Sequence, residues 1–263
     1  MSHETPQESE LELRKEQRER FMVEYLSKKG SGILNEDALL TGENIFGVFD
    51  GATSFSGYTN ADGKTGAWLA SHIAVETFAK NDKSLAILAN EANNRLEAEM
   101  KKCDIDTTQK INRWSTGGAV IRIEKDSFEW LQISDCLILV VAQDGSYTLL
   151  GGADFDHDRY PLTSWKKLGS ERQKPMKEIP EIRAIQSTVI DNANITYGSI
   201  NGDPNFEKFI HTGTESLKDV SDILLFTDGL FIPKENPENS EDFDTLVKLY
   251  SEGGLKYIQK HVR

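Results

Sequence analysis

Carboxylates recur in this sequence where carboxylates are costly. Glu36 and Asp37 stand in NEDA, Asp50 in VFDGA, Asp135 in ISDC and Asp228 in FTDGL, each in or at the end of a strongly apolar run. An ionised carboxylate in such a place is expensive unless it is paired, hydrogen-bonded or bound to metal. Taken singly, each has an ordinary explanation as a turn or a helix cap. Taken together, with glycine following both Asp50 and Asp228, they are more economically read as one shared cation site. The donors are oxygens with no His/Cys cluster among them, which suits the hard cations Mg2+ or Mn2+ and not zinc. Glycine after the acid would permit a sharp turn and let a backbone carbonyl approach the ion.

The elements that must position these acids follow from periodicity. Residues 1–27 read as a charged N-terminal arm or helix, broken by KKGSG. ILNEDALL and NIFGVFDG read as strands. Residues 62–80 and 84–101 read as helices, with Trp68, Ile73, Val75 and Phe78 on the stripe of the first and Leu85, Leu88, Ala92 and Leu96 on that of the second. TGGAVIRIE, SFEWLQIS, CLILVVA and SYTLLGG form a block of strands, the last two joined by the turn signal QDG. Residues 155–190, with Pro161, Pro175 and Pro180, read as a long irregular loop. DILLFTDGLFIP is a further strand, and DFDTLVKLY and GLKYIQKHV are closing helices. Clustered strands with segregated helices predict an α+β fold of packed layers.

Composition narrows the classes. The 263 residues carry 43 acids against 30 bases, a net charge of -13, which argues against broad binding to nucleic acid or to anionic membranes. A hydrophobic fraction of 38% supports a substantial core without disulfides. Cys103 and Cys136 form no CxxC or Cys/His cluster. No leader-like apolar segment opens the chain, and no run approaches the roughly 18 apolar residues of a membrane span. A reducing, cytoplasmic setting is the expectation.

NEDA, VFDGATS, WSTGGAV, LQISDCLILVV and LLFTDGL occur in the order and approximate spacing of the metal-dependent protein serine/threonine phosphatases, the PP2C or PPM family. The chain resembles that family over about residues 30 to 260, and DGAT in place of the common DGHG resembles its divergent bacterial branch. The resemblance implies a four-layer α-β-β-α sandwich with two central antiparallel sheets over residues 28–263. It implies a centre of two Mg2+ or Mn2+ ions between the sheets, with a third, weaker site. Asp50 would bridge the two ions, Glu36 and the Gly51 carbonyl would serve one, and Asp228 the other, making Asp50, Asp228 and Glu36 the catalytic acids. Asp37 would support the site, and Asp135 would help hold the weaker ion. The implied reaction is hydrolysis of phosphoserine and phosphothreonine in protein substrates by a metal-bridging hydroxide attacking phosphorus in line.

The chain also departs from the family pattern. Gly32 stands where an arginine binds phosphate; Lys28 or Lys29 would replace it as a point charge without the bidentate fork. Ala52 stands where a histidine follows Asp-Gly, and Ile232 where a further acid follows the second Asp-Gly. The sequence closes on QKHVR ahead of the family's final strand and its metal-binding Asp, which is the pattern of a truncated chain as much as of one that lacks this ligand by nature. These departures define the alternative, a catalytically impaired pseudophosphatase serving as a binding or regulatory module.

Other motifs are decoys. GYTNADGKT has five residues between its glycines where a phosphate-binding P-loop has four, and reads as a loop with Asp62 capping the next helix. DFDHDRY lacks the glycine and the closing Glu of a calcium loop. His157, inside it, reads as a surface loop histidine, and His72 as structural. Trp68, Trp114, Trp130 and Trp165 read as packing residues, and Cys136 as a buried thiol.

Overall fold

Strand β4 (Ile45–Phe49) is buried at every position, as the unbroken run IFGVF demands, since both faces must be covered. It pairs antiparallel with β3 (Ala38–Thr41) on one side and β7 (Gly118–Ile123) on the other. With β8 (Ser127–Ile133) and β11 (His211–Ser216) these make a five-stranded sheet in the order β11-β8-β7-β4-β3. A three-stranded antiparallel sheet has the order β10-β9-β12, from β9 (Leu137–Ala142), β10 (Tyr147–Leu150) and β12 (Val220–Phe226). The computed structural model describes the chain apart from residues 1–13, 18–20, 31, 53–54, 56, 153–156, 158, 169–177 and 263.

Alternation along the strands sorts the side chains into three cores. Phe46, Val48, Ile121 and Trp130 of the larger sheet pack on Cys136, Ile138 and Leu150 of the smaller. The opposite face of the larger sheet, with Ile45, Phe49, Val120 and Leu131, is covered by helices α1 (Gly66–Phe78) and α2 (Leu85–Lys102). The opposite face of the smaller sheet, with Leu137, Leu139 and Phe226, is covered by Leu246, Leu249 and Ile258 of helix α5 (Phe243–Val262). The result is the expected α-β-β-α sandwich. Glycines at positions 253 and 254 leave helical geometry and divide α5 into the two segments the sequence suggests.

Helix α2 buries the expected stripe of Leu85, Leu88, Ala92 and Leu96. Helix α1 buries Ala67, Ala70, Ser71 and Ala74 beside Phe78, while Trp68, Ile73 and Val75 are only partly covered. Small side chains face the sheet because the helix lies close to it. Its N-cap is Thr65, whose hydroxyl accepts from the Trp68 N–H, and not Asp62.

Two expectations are corrected. The stretch read as an arm or helix carries strands β1 (Arg14–Gln17) and β2 (Met22–Tyr25), paired antiparallel; residues 1–13 lie outside the described residues. Phe21 and Val23 reach the core between the sheets, and the Phe21 ring meets Phe46 edge-on at 5.6 Å. Alternation of Phe21, Val23 and Tyr25 is the period-two signal that the surrounding charge obscures. The stretch read as irregular holds helices α3 (Arg159–Lys167) and α4 (Pro180–Asp191). Pro161 lies in the first turn of α3 and Pro180 opens α4, positions where the missing N–H costs nothing. Strand β11, HTGTES, has no apolar pattern; its pairing with β8 makes it a strand. Among the described residues no helix is long and apolar enough to cross a membrane.

Candidate functional site

Register decides which acids meet. Ala38 pairs with Phe49, so Asp37, just before β3, and Asp50, just after β4, leave the larger sheet at the same end. Phe226 pairs with Leu137, so Asp228, just after β12, and Asp135, just before β9, leave the smaller sheet together. Asp135 lies on the crossing between the sheets, from Ser134 to Cys136. The buried Gln132 fixes that crossing by donating to the Ser134 carbonyl (2.6 Å) and accepting from the Gly152 N–H (3.1 Å). Ser134 sits at φ 68°, a left-handed turn conformation that is uncommon outside glycine.

The electrostatics show that the two pairs converge. The carboxyl of Asp50 is pushed well above the ordinary range, first by burial and then by repulsion from Asp135, Asp37 and Asp228. Asp50 keeps some residue surface, but its carboxyl is the desolvated part. Burial, then Asp228, raises Asp37 to about 6, against the pull of hydrogen bonds from Asp50 and Thr227. The Thr227 hydroxyl is 3.5 Å from Asp37 Oδ2, at the outer limit of a hydrogen bond. Asp37 lies close to Asp50, and Asp50 to Asp228, near enough for a proton to be shared between neighbouring carboxyls. Cys136, fully buried behind them, has its thiol pushed up by burial, then by Asp50 and Asp135.

Glu36 is fixed by α1. The Thr65 hydroxyl donates to Glu36 Oε1 at 2.5 Å, and the Ser71 hydroxyl to the Glu36 carbonyl at 2.6 Å. Thr65 therefore caps the helix and orients an acid at once. Thr65→Ala is expected to lower stability by about 1–2 kcal/mol, with Thr65→Ser recovering most of it. Urea denaturation midpoints check this; equal losses for Ala and Ser would deny the hydroxyl its role.

Gly51 opens β5 (Gly51–Ala52), which pairs with β6 (Ser115–Thr116). A Cβ at Gly51 would lie 2.5 Å from the Ala67 carbonyl oxygen and 2.6 Å from that of Glu36. Close packing of three backbones demands glycine here, whatever its carbonyl binds. The Asp50 carbonyl accepts from the Gly117 N–H at 2.9 Å, which ties the turn to the smaller strand pair.

A groove of about 660 Å3 reaches Asp37 and Thr227 from between β2 and β12, lined mostly by apolar side chains such as Phe46, Val48 and Leu225. Lys28 lines the same groove, and Lys29 donates to the Ile33 carbonyl at 3.3 Å.

The donor set fits hard divalent cations by its chemistry. Two of its carboxyls, those of Asp37 and Asp50, are desolvated and raised by burial and by neighbouring acids. Among the described residues no group of three or more His, Cys, Asp or Glu side chains forms a ready-made cage. Three contributors were not expected from sequence: Thr65, Thr227 and His157. The first two sit beside acids already singled out. His157, read as a surface histidine, is 15% exposed in its side chain and lies 3.5 Å from Asp135; nothing local in the sequence signals that contact. The acids flanking His157 at 154, 156 and 158 lie outside the described residues.

The family model for Protein phosphatase 2C matches residues 26–258. No curated protein matches the sequence. Among solved structures, the serine/threonine phosphatase PstP/Ppp of Mycobacterium tuberculosis is similar with a TM-score of 0.54 at 13% identity, over 96% of this chain and 89% of that one. RsbX in complex with magnesium gives 0.53 at 12% identity, over 95% and 90%. A bacterial serine phosphatase gives 0.51 at 14% identity, over 96% and 93%. At these identities the likeness is one of fold.

Proposed function

We propose that this chain, which belongs to the protein phosphatase 2C family, is a Mg2+- or Mn2+-dependent hydrolase of phosphoserine and phosphothreonine in proteins. The observation that carries the reading is the burial of the Asp37 and Asp50 carboxyls beside further acids, Asp228 acting on both and Asp135 on Asp50. Acids with no catalytic or binding use would be costly there. Magnesium in the structure of RsbX supports the choice of ion.

In this reading Asp50, Asp228, Glu36 and the Gly51 carbonyl would hold the ions, Asp37 would support the set and Asp135 would serve a weaker site. When bound, the cations supply Lewis acidity to the attacking water and to the phosphoryl oxygens. The chain's own part is to hold the acids in place. Thr65 and Ser71 fix Glu36, the Gln132 bonds fix the Asp135 turn, and the fully buried Phe49 and Cys136 close the site from behind.

A second reading, a non-catalytic relative, draws on the lack of a three-acid cage among the described residues. Turnover of p-nitrophenyl phosphate and of a phosphothreonine peptide separates the two. The expected result is hydrolysis that EDTA stops and added Mn2+ restores. A folded protein that binds Mn2+ and hydrolyses neither substrate would favour the second reading.

A further inference from the structure

His157 lies beside Asp135. Its Nε2 is 3.5 Å from Asp135 Oδ2, and the two side chains are 15% and 17% exposed. The imidazole lies flat on Tyr197, with ring centroids 4.1 Å apart and planes inclined by 7°. Tyr197 is itself buried and pinned, since its carbonyl accepts from the Asn194 N–H at 2.7 Å. Asn194 is held in turn by the Ser199 carbonyl and Asn201 Oδ1, at 3.0 and 2.9 Å. The other ring nitrogen, Nδ1, is buried without a hydrogen-bond partner. Packing alone does not account for an imidazole here, because an apolar ring would stack on Tyr197 without leaving a buried polar atom unsatisfied. What distinguishes histidine is the edge it turns toward Asp135.

Resting on the metal-centre reading above, we propose that His157 is a positioning residue, whose Nε2–H donates to Asp135 Oδ2 and sets that carboxylate for the weaker cation. The ring's orientation comes from Tyr197, and the backbone that carries Asp135 is held by the Gln132-pinned turn. The 3.5 Å separation is at the outer limit of a hydrogen bond. The role needs a donor at Nε2 and is filled by neutral or charged imidazole alike. Partners that orient a ligating side chain are typically worth about 10–100-fold in metal affinity.

Mn2+ titration of the full chain, followed by the electron paramagnetic resonance of free Mn2+, tests the inference. His157→Leu is expected to weaken the weakest class of sites by about 10–100-fold and to leave the tighter sites unchanged. His157→Gln, which carries a donor to the same place, should restore most of the loss. The double variant with Asp135→Asn should bind as Asp135→Asn alone. Should the leucine variant fail to fold, His157→Asn, whose amide falls short of Asp135, takes its place. An isotherm for His157→Leu identical to wild type would overturn the inference alone. So would a full effect of His157→Leu persisting in the Asp135→Asn background. A wild-type chain that binds no Mn2+ would overturn the metal-centre reading and this inference with it.

Discussion

Asp50→Asn is expected to abolish Mn2+-dependent turnover while making the metal-free protein more stable at neutral pH. Both effects come from one carboxylate. Asp50 is the acid that burial and three other carboxyl groups all disfavour in its charged form. The isosteric amide removes that repulsion and can still donate toward Asp37 and Asp228. The gain should be about 1–2 kcal/mol, the scale of one relieved interaction of this kind, read from urea denaturation in EDTA. Turnover should fall by at least about 10^3-fold, roughly 4 kcal/mol of barrier, because the group proposed to hold both ions is gone. Opposed movements of stability and activity mark a functional acid. A variant that loses both would make Asp50 a structural residue, and one that keeps its turnover would remove it from the site.

The pH dependence of the metal-free fold should run against the habit of most proteins. Asp37 has an ordinary carboxyl value of 3.8 and is raised to about 6 in the fold. Between those values the folded chain holds a proton that the unfolded chain has lost. Stability therefore falls as pH rises from about 4 to about 6, and levels off above. The rise from 3.8 to about 6 corresponds to at most about 3 kcal/mol, and Asp50 acts in the same direction. Exposed acids held low by hydrogen bonds, such as Asp106 and Asp144, act in the opposite sense. The comparison with Asp37→Asn isolates the effect, since those acids are common to both proteins. Urea midpoints in EDTA at pH 4.5, 5.5 and 7 should show Asp37→Asn gaining on wild type as pH rises. With Mn2+ present that advantage should vanish, because a bound cation favours the deprotonated acids and its binding releases protons. A constant difference between the two proteins across this range would contradict the assignment.

Much of this was legible in the residues, and the illegible parts share a cause. A strand that is apolar throughout and ends in Asp-Gly states two facts at once, its burial and the exit of an acid from it; hence Asp50 and Asp228 stand out. The Ser-Asp-Cys crossing is legible for the same reason, as an acid amid apolar neighbours. Helix α2 shows its buried stripe because its large side chains repeat at the helical period, whereas α1 hides its own because alanines carry no such signal. Strand β11 owes its form to β8, and a polar edge has no periodicity to read. The contacts of Thr65 with Glu36 and His157 with Asp135 join residues 29 and 22 positions apart by numbering; only the assembled layers bring them together. Gly51 is a partial success, since glycine is required there, but by three crowded backbones and not for turning alone.

The acids are shared between two bodies. Asp37 and Asp50 ride on the five-stranded sheet and Asp228 on the three-stranded one, so the gap between them is gauged by how Phe46, Val48 and Ile121 seat against Ile138 and Ile223. A slight slip of one layer over the other would retune every acid-to-acid spacing while leaving both ladders whole. Such a molecule should fall silent under gentle warming before it melts, with hydrolysis lost ahead of the far-ultraviolet circular dichroism signal. Coincident loss of the two would mean that the layers move only when the whole fold lets go.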